Sequence, residues 1–549
     1  LVQQSRATLW LLLGAVGFVL LIASANIASL QLARAEGRRR EIAVRAALGA
    51  SPRRLALELL VENLLLAFAG GVLGVLFAWW GVLGLGAWLS TQLPRMSPVA
   101  IDGTVLGFAI ALSVAAGLLF GIAPALRARR VDLLESLKEG GHQSTRTGHR
   151  LRQGLVAAEV TLAVMLAINT GLLARSVYEL SSHDPGFRTD DVMTASLTLP
   201  RRYGAQAQQR EFGARWLDAL RGLPGVKAAA LSDMPPLTPY NQVMMIADSR
   251  VTTGNTDASV ESMPRRVAIS TVSTDYFRAL GIPLREGRFI SESDVDGAPN
   301  VAVVNEAYVK ANFPTGTPIG TSIDLPFAGH GAEEATQGAT IVGVVGDVRP
   351  GGLDAKSQPL AYFPAAQHPR SRITAVVQFT GSASDLARVM EQAVHRVDPS
   401  LALASPATLA DQIARQTAPR RITFLLTSAF ALTAVVLAAL GIFGVMSYTV
   451  AQRTQEIGVR MALGADGGMI LRWVMGYGGA AIGVGLLAGI ALTISTGRVL
   501  RSFTAGIDAL DPIVILAATA VLALTGAVAC LLPALRATRV SPVEALREG

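Results

Sequence analysis

The feature that most constrains this fold is the apolar run from Ala7 to Ala33, which contains no charged residue. As an α-helix rising 1.5 Å per residue, the run is long enough to cross the roughly 30 Å hydrocarbon core of a bilayer. A cluster of arginines from Arg34 to Arg45 follows it. Because basic residues mark the cytoplasmic end of a membrane helix, we expect Leu1 to lie outside and this cluster to lie in the cytoplasm.

The composition supports a membrane protein. The hydrophobic fraction is 51% and the mean hydropathy is +0.43, both too high for an ordinary soluble chain. A formal net charge of +8 could indicate nucleic-acid binding, but the basic residues crowd beside the apolar runs. Topology explains the charge, so we expect no nucleic-acid partner. The single cysteine, Cys530, excludes a disulfide framework and a cysteine-based metal site.

Apolar runs of spanning length predict an α-helical bundle of seven membrane helices. Every basic cluster falls on the same side, which places the C-terminus in the cytoplasm. The predicted spans are Ala7–Ala33, Asn63 to the region of Trp79, Trp80 and Trp88, Val105–Pro124, Leu155–Leu173, Phe424–Val450, Ile470–Leu492 and Ile513–Leu532.

Composition also divides the chain into domains. Residues 1–130 form a first three-helix unit, 131–153 a flexible cytoplasmic linker, 154–175 a single span, and 420–549 a second three-helix unit. Residues 176–419 are mixed and polar with frequent Pro and Gly, which predicts one large extracytoplasmic domain.

Within that domain the patterns alternate between strand and helix. Strands are predicted at Val192–Leu199, Val301–Val304 and Thr340–Val345, and a helix at Gln206–Leu220. Asn305 is a candidate N-cap for a second helix that ends at Pro314. Alternating elements favour an α/β or α+β fold.

A duplicated motif organises the membrane part. The first copy, residues 38–49, has the sequence RRREIAVRAALG, and the second copy, residues 453–464, has RTQEIGVRMALG. A second pair of segments, APALRARRVDLLESLKEG and LPALRATRVSPVEALREG, repeats at the inner ends of the third and seventh spans. Ordered repeats in both places indicate that a whole unit is duplicated.

Each copy of the motif predicts a short amphipathic helix. Glu41 and Arg45 are four residues apart, as are Glu456 and Arg460, so each pair can form an ion pair along one helix face. Such a helix can lie against a partner's groove or simply at the membrane interface. The alternative explanation for the repeated tails is that basic residues follow any span that runs inward, where they act as stop signals.

These motifs resemble those of the MacB/FtsX-type permeases of ABC transporters. EIxVRxALGA and PALRA recur around three-helix units, and the outer domain contains VSTDYFRALGIPLREGRFISESD, VAVVNEAYVKANFP and IVGVVGDVR. The fused halves are similar to the duplicated orphan permeases described in acidobacteria. The resemblance implies a bacterial inner-membrane protein with one large α/β extracytoplasmic domain of the MacB periplasmic type. It also implies that the first half lacks one span and one outer domain, so that the sequence is N-terminally incomplete.

The resemblance further implies a partner. In this family a separate cytoplasmic ATPase dimer docks beneath the permease, and ATP-driven closure is transmitted to the outer domains. The chain has no GxxxxGK[ST], so we expect no cofactor in this chain and ATP bound by the partner. The residues implied to contact the ATPase are Glu41, Ile42, Arg45 and Gly49 of the first copy, and Glu456, Ile457, Arg460 and Gly464 of the second.

Three functions are compatible with this topology. The first is the permease subunit of an efflux or extraction machine, in contact with membrane lipid. The second is an FtsX-like regulatory complex acting on an outer partner such as a cell-wall hydrolase or sensor. The third, a channel or ion-coupled carrier, requires paired ionisable residues within the spans, and almost none are present.

Individual polar residues carry weaker signals. Glu159 is the one ionisable side chain placed to be functional in a span, and the simpler interpretation is that it snorkels or faces another helix. Asn26 and Asn169 are predicted to form hydrogen bonds between helices. Four histidines are predicted to lie at the surface, namely His183, His330, His368 and His395. We expect no catalytic residue, no metal site and no enzymatic activity.

Overall fold

The computed structural model describes residues 2–37, 52–92, 102–128, 144–182, 184–238, 245–252, 265–313, 316–324, 338–349, 357–500 and 511–539. The chain divides into two units, one formed by Leu1–Tyr178 with Pro419–Gly549 and the other by Glu179–Ala418. The first is called the membrane unit and the second the outer unit.

All the regular secondary structure described in the membrane unit is helical. Its helices are α1 (Val2–Gly37), α2 (Pro52–Gln92), α3 (Gly103–Ala128), α4 (Ser144–Ser182), α9 (Leu409–Gln452), α10 (Thr454–Ala462), α11 (Gly467–Leu500) and α12 (Pro512–Ala537). A continuous buried cluster joins α1, α4, α9, α11 and α12, and it contains Ile22, Val160, Ala434, Ile470 and Ala534 among others. Many apolar side chains face outward, as expected where lipid replaces water.

Six helices in the described part of the chain are long and apolar enough to cross a membrane. The predicted third span falls within α3, whose shorter apolar segment Gly103–Ala115 does not reach that length on its own. The count of seven spans is therefore not confirmed. Helix α4 begins at Ser144, so it includes the last residues of the segment predicted as a linker.

The outer unit is built on an eleven-stranded sheet with helices. The strands are β1 (Val192–Thr198), β2 (Val226–Ser232), β3 (Met245–Thr252), β4 (Arg265–Val272), β5 (Leu284–Gly287), β6 (Val301–Asn305), β7 (Ser322–Asp324), β8 (Ala339–Val345), β9 (Leu360–Pro364), β10 (Arg372–Phe379) and β11 (Ala404–Thr408). The helices are α5 (Gln206–Arg221), α6 (Tyr276–Leu280), α7 (Glu306–Asn312) and α8 (Ala383–Val397).

The strand order is β11-β1-β10-β2-β4-β3-β7-β8-β6-β9, and β5 pairs with β8. Because β9 also pairs in parallel with β4, the six strands from β4 to β9 along this path form a closed ring. Strands β11, β1, β10 and β2 form an open antiparallel sheet whose core includes Trp216 of α5 and Met390 of α8. The predicted α/β character is confirmed, and the ring is a feature that the sequence pattern did not show.

Most of the predicted elements of the outer unit are confirmed. The strands predicted from Val192, Val301 and Thr340 correspond to β1, β6 and β8, and the predicted helix to α5. The side chains of α5 predicted at helical spacing, Phe212, Trp216 and Leu220, are buried. Asn305 caps α7 by accepting a hydrogen bond from the backbone N–H of Tyr308 at 2.9 Å.

Candidate functional site at the second copy of the motif

The second copy of the duplicated motif forms a short amphipathic helix, as predicted. Helix α10 follows α9 after the single residue Arg453. Ile457 and Gly458 are buried, whereas Glu456 and Arg460 are 45% and 43% exposed. One face therefore packs into the membrane unit and the other is accessible to a partner.

An ion pair lies along the accessible face. Nη2 of Arg460 donates to Oε1 of Glu456 at 2.6 Å, which confirms the predicted pairing of residues four apart. Nη1 of Arg453 lies 3.8 Å from Oε2 of the same carboxylate. The guanidinium groups of Arg460 and Arg453 also lie 4.9 and 5.3 Å from the centre of the Trp473 ring on α11. These cation–π contacts hold both arginines beside the neighbouring helix.

The glycine that ends the motif has a backbone role. Gly464 has φ of +99°, which L-residues with a side chain rarely adopt. Its N–H donates to the carbonyl of Met461, and the N–H of Ala465 donates to that of Arg460. These two bonds form a Schellman motif, which ends α10 and satisfies carbonyls left free by the last turn. Asp466 then caps α11 by accepting from the N–H of Met469 at 2.7 Å.

The residues predicted to contact the ATPase have different environments. Ile457 is 1% exposed and belongs to the buried cluster of the membrane unit, so it anchors α10 and is not a surface residue. Glu456, Arg460 and Gly464 lie on the accessible side. The first-copy residues Glu41, Ile42, Arg45 and Gly49 lie outside the described residues.

A buried polar cluster lies where α1, α4 and α9 meet. Glu159 is 1% exposed, and a Cβ placed on Gly441 would overlap with both its carboxylate and Oδ1 of Asn26. Asn26 also donates through Nδ2 to the carbonyl of Leu437 at 2.8 Å, which confirms its predicted role between helices. Glu159 therefore faces another helix and does not snorkel. Its carboxylate oxygens accept no hydrogen bond from any described residue.

The cluster also relates the two halves of the chain. When the two motif copies are aligned, so that Arg38 corresponds to Arg453, Asn26 corresponds to Gly441. Equivalent positions of α1 and α9 thus lie against each other. Asn169 is the other asparagine predicted to bond between helices. It differs from Asn26, because its Oδ1 accepts no hydrogen bond within the described part of the chain.

The outer unit contains a cavity with a buried charged pair. Its volume is about 180 Å³, and Asp233 and Arg370 both line it. Oδ1 of Asp233 accepts from the N–H of Thr271 at 2.8 Å and from Oγ of Ser270 at 3.2 Å, and its Oδ2 lies 3.8 Å from Nε of Arg370. Burial raises the pKa of Asp233, and the hydrogen bond from Thr271 and the charge of Arg370 oppose this shift.

One histidine departs from the prediction. His368 is not at the surface but half-buried, with its ring edge-on to Phe363 at 5.6 Å. Burial, assisted by the charge of Arg370, lowers the pKa of His368 to about 4. His395 is exposed, as predicted, and His183 and His330 lie outside the described residues. No group of three metal-ligating side chains occurs among the residues with a described structure.

Two family models match almost the whole chain. The model described as FtsX-like permease C-terminal matches residues 13–133 and again 428–542, and the model described as MacB-like periplasmic core domain matches residues 154–398. The chain is an FtsX-like permease with a MacB-like periplasmic core domain. The double match of the FtsX-like model confirms the duplication, and α10 lies within its second part.

Curated relatives agree with this assignment. The permease is 28% identical over 289 residues to the pyoverdine export ATP-binding/permease protein PvdT of Pseudomonas aeruginosa, covering 50% of this chain and 41% of the relative. It is 25% identical over 417 residues to the macrolide export ATP-binding/permease protein MacB of a Shewanella species, covering 72% and 58%. The chain thus matches less than two thirds of the length of either relative.

A comparison with solved structures gives a match to part of the chain. The periplasmic region of MacB from Actinobacillus actinomycetemcomitans matches with 13% identity and a TM-score of 0.29, covering 44% of this chain and 97% of that one.

Proposed function

We propose that this permease is the membrane subunit of an ABC-type exporter in the bacterial inner membrane. A separate cytoplasmic ATPase, acting as a dimer, would contact α10 and the first copy of the motif, and ATP hydrolysis would move the outer unit around a cargo. The observation that carries the proposal is the form of α10. It presents an ordered, accessible Glu456–Arg460 pair on one face and is anchored by buried Ile457 on the other.

Chain connectivity supports a route for the motion. Helix α9 is 44 residues long, begins at Leu409 within the outer unit, and ends one residue before α10. A displacement of α10 would therefore act directly on the end of α9. Helix α4, from Ser144 to Ser182, contains the other point at which the chain passes between the units. Mechanical transmission through these helices requires no passage of cargo between the spans.

The distribution of charge supports the proposed orientation. The inner ends of the predicted spans carry the basic clusters, including Arg453, Arg536 and Arg539, and this pattern favours a cytoplasmic position for α10 and the C-terminus. The relatives described above are named as export proteins that combine ATP-binding and permease functions. Those names support export as the task of this chain and an ATPase as its partner, while ATP itself would be bound by that partner.

Affinity isolation from native membranes tests the proposal. The tagged chain is isolated in mild detergent, associated proteins are identified by mass spectrometry, and the ATPase rate of the complex is measured with amphipathic candidate cargoes. We expect a protein with a GxxxxGK[ST] loop to co-isolate and its ATPase rate to respond to cargo. A rate that responds only to an outer hydrolase or sensor would instead establish the FtsX-like regulatory function, and the absence of any ATPase would contradict both.

A further inference from the structure

The cavity of the outer unit lies where the open sheet meets the ring of strands, and it is called the junction cavity below. Strand β2 of the sheet pairs with β4 of the ring at a single position, Ser232 with Val272. Both strands end at this pair. The residues of the pair line the cavity together with their neighbours Leu231 and Thr271. The cavity is therefore built by the junction itself.

Most of the large side chains around the junction cavity are apolar. They include Leu217, Leu231, Val272, Ile290, Val295 and Ile373. Exposed residues also line the cavity, among them Ala214 and Glu292, so it is open to solvent. Its volume of about 180 Å³ slightly exceeds the roughly 150 Å³ of an apolar protein cavity that holds benzene. The space therefore suits a small ligand with an apolar body.

Two opposite charges border this apolar space. Asp233 is 9% exposed, and its Oδ1 accepts the hydrogen bonds from Thr271 and Ser270 described above. Its Oδ2 accepts no hydrogen bond from any described residue, because Nε of Arg370 lies 3.8 Å away. Burying a charged oxygen without a donor is unfavourable, so Oδ2 favours a ligand that carries one.

The other charged groups at the cavity wall have close partners. Nη1 of Arg210 lies 2.8 Å from Oδ2 of Asp296. Asp294 accepts from Nη1 and Nη2 of Arg288 at 2.7 and 2.9 Å. These pairs neutralise each other at short range, so polar recognition in the cavity centres on Asp233.

We propose that the junction cavity binds a free α-amino acid with an apolar side chain. The ammonium group of the ligand would donate to Oδ2 of Asp233. Its carboxylate would accept from the guanidinium of Arg370, which carries five N–H donors. The apolar side chain would occupy the remaining space. This proposal does not depend on the proposed export function.

The spacing of the two protein charges supports this class of ligand. In an α-amino acid both charged groups are attached to one carbon atom, so the nitrogen lies about 2.5 Å from the carboxylate carbon. The two protein charges are also close together, with 3.8 Å between Oδ2 of Asp233 and Nε of Arg370. A simple amine or a simple carboxylate would satisfy only one member of the pair and place its apolar body beside the other.

Equilibrium dialysis of radiolabelled L-leucine against the full chain in phosphatidylcholine nanodiscs at pH 7 tests the proposal. We expect saturable binding of one leucine per chain. Unlabelled L-leucinamide lacks the carboxylate, and 4-methylpentanoate lacks the ammonium group. Each should compete about thirtyfold less well than unlabelled leucine, because each leaves one buried charge without its partner. These analogues test the recognition of both charges without relying on the folding of any variant.

Two matched variants locate the binding. Asp233→Asn keeps a side-chain oxygen for Thr271 and Ser270 but removes the charge, and it should weaken leucine binding by about thirtyfold or more. Asp398→Asn removes an aspartate that pairs with Arg202 and does not line the cavity, and it should leave binding unchanged.

Three results would overturn the proposal. The first is the absence of saturable leucine binding to the parent chain. The second is equal affinity of the parent and Asp233→Asn chains, which would place the ligand elsewhere. The third is competition by leucinamide as strong as that by leucine, which would indicate recognition of a peptide N-terminus or an amine instead of a free amino acid.

Discussion

Reversing the charge at Glu456 together with Glu41 should abolish association with the ATPase while leaving the permease folded. For the second copy, the structure allows an estimate of how much the charge reversal destabilises α10. Glu456 is 45% exposed, and its pair with Arg460 is of the exposed, four-residue spacing kind, which contributes about 0.3–0.5 kcal/mol. New repulsion between the introduced lysine and the two nearby arginines adds a similar amount. A total near 1 kcal/mol leaves α10 in place, because Ile457 remains buried.

The charge reversal has a larger free-energy cost at the proposed interface with the ATPase. Juxtaposing like charges across a protein contact costs several kcal/mol, and about 2.8 kcal/mol corresponds to a hundredfold change in affinity. We therefore expect recovery of the ATPase with the Glu41→Lys and Glu456→Lys double variant to fall by about two orders of magnitude. The assay is quantitative mass spectrometry of the ATPase relative to the tagged chain, with gel filtration to establish that the chain remains monodisperse.

Two matched variants separate contact from stability. Glu391→Lys reverses an exposed glutamate on α8 of the outer unit and should leave recovery unchanged. Exchanging the charges, Glu456→Arg with Arg460→Glu, keeps an ion pair within α10 but reverses the positions of its positive and negative charges. Recovery of ATPase binding in the exchanged variant would show that helix stability, and not the pattern of charges, controls docking. Undiminished recovery in the double lysine variant would refute the contact itself.

Three further changes have expected outcomes. Because burial raises the pKa of Asp233, the native protein keeps a proton on this carboxyl group to a higher pH than the unfolded chain does. The parent chain should therefore lose stability relative to Asp233→Asn as the pH rises above about 4, the ordinary pKa of an aspartate, and a stability difference in urea unfolding that does not change with pH would contradict this. Asn305→Ala should destabilise the outer unit by about 3 kcal/mol, since the same Oδ1 accepts from the N–H groups of Tyr308 and Leu360, and hydrogen exchange of β9 should increase. Gly489→Leu should destabilise the membrane unit by about 3 kcal/mol through overlap with Val164, measured as a lower thermal midpoint than that of Gly107→Leu.

Periodicity was sufficient to predict α10 and the ion pair on it. The spacing of Glu456 and Arg460 determines that they share a helix face, and Gly464 marks the end because a left-handed residue is needed there. The same pattern could not separate a buried apolar residue from an interface residue. The pattern groups Ile457 with the contact residues, whereas the structure buries it in the core, since an amphipathic helix has an apolar face in either case.

Long-range packing explains the other differences. The environment of His368 depends on Phe363 and Arg370, and the closed ring of strands depends on the pairing of β4 with β9 across residues 268–364. Neither contact has a local sequence signal. Glu159 illustrates the same limit, because only the placement of Gly441 on another helix shows where its carboxylate points. The extension of α4 into the predicted linker reflects helix formation by polar residues that composition alone assigned to a loop.

The contact between Asn26 and Gly441 makes the two halves of the duplicated chain non-equivalent. In a dimer of two identical subunits, a residue on the symmetry axis meets its own copy, so both sides must change together. Within one duplicated chain the two sides can diverge, and here one carries an amide while the other supplies the space for it. Two copies of the asparagine-bearing half would place both side chains in the same volume, and two copies of the glycine-bearing half would lack the amide beside Glu159. This contact therefore depends on having both halves in one chain, because neither half paired with its own copy would reproduce it.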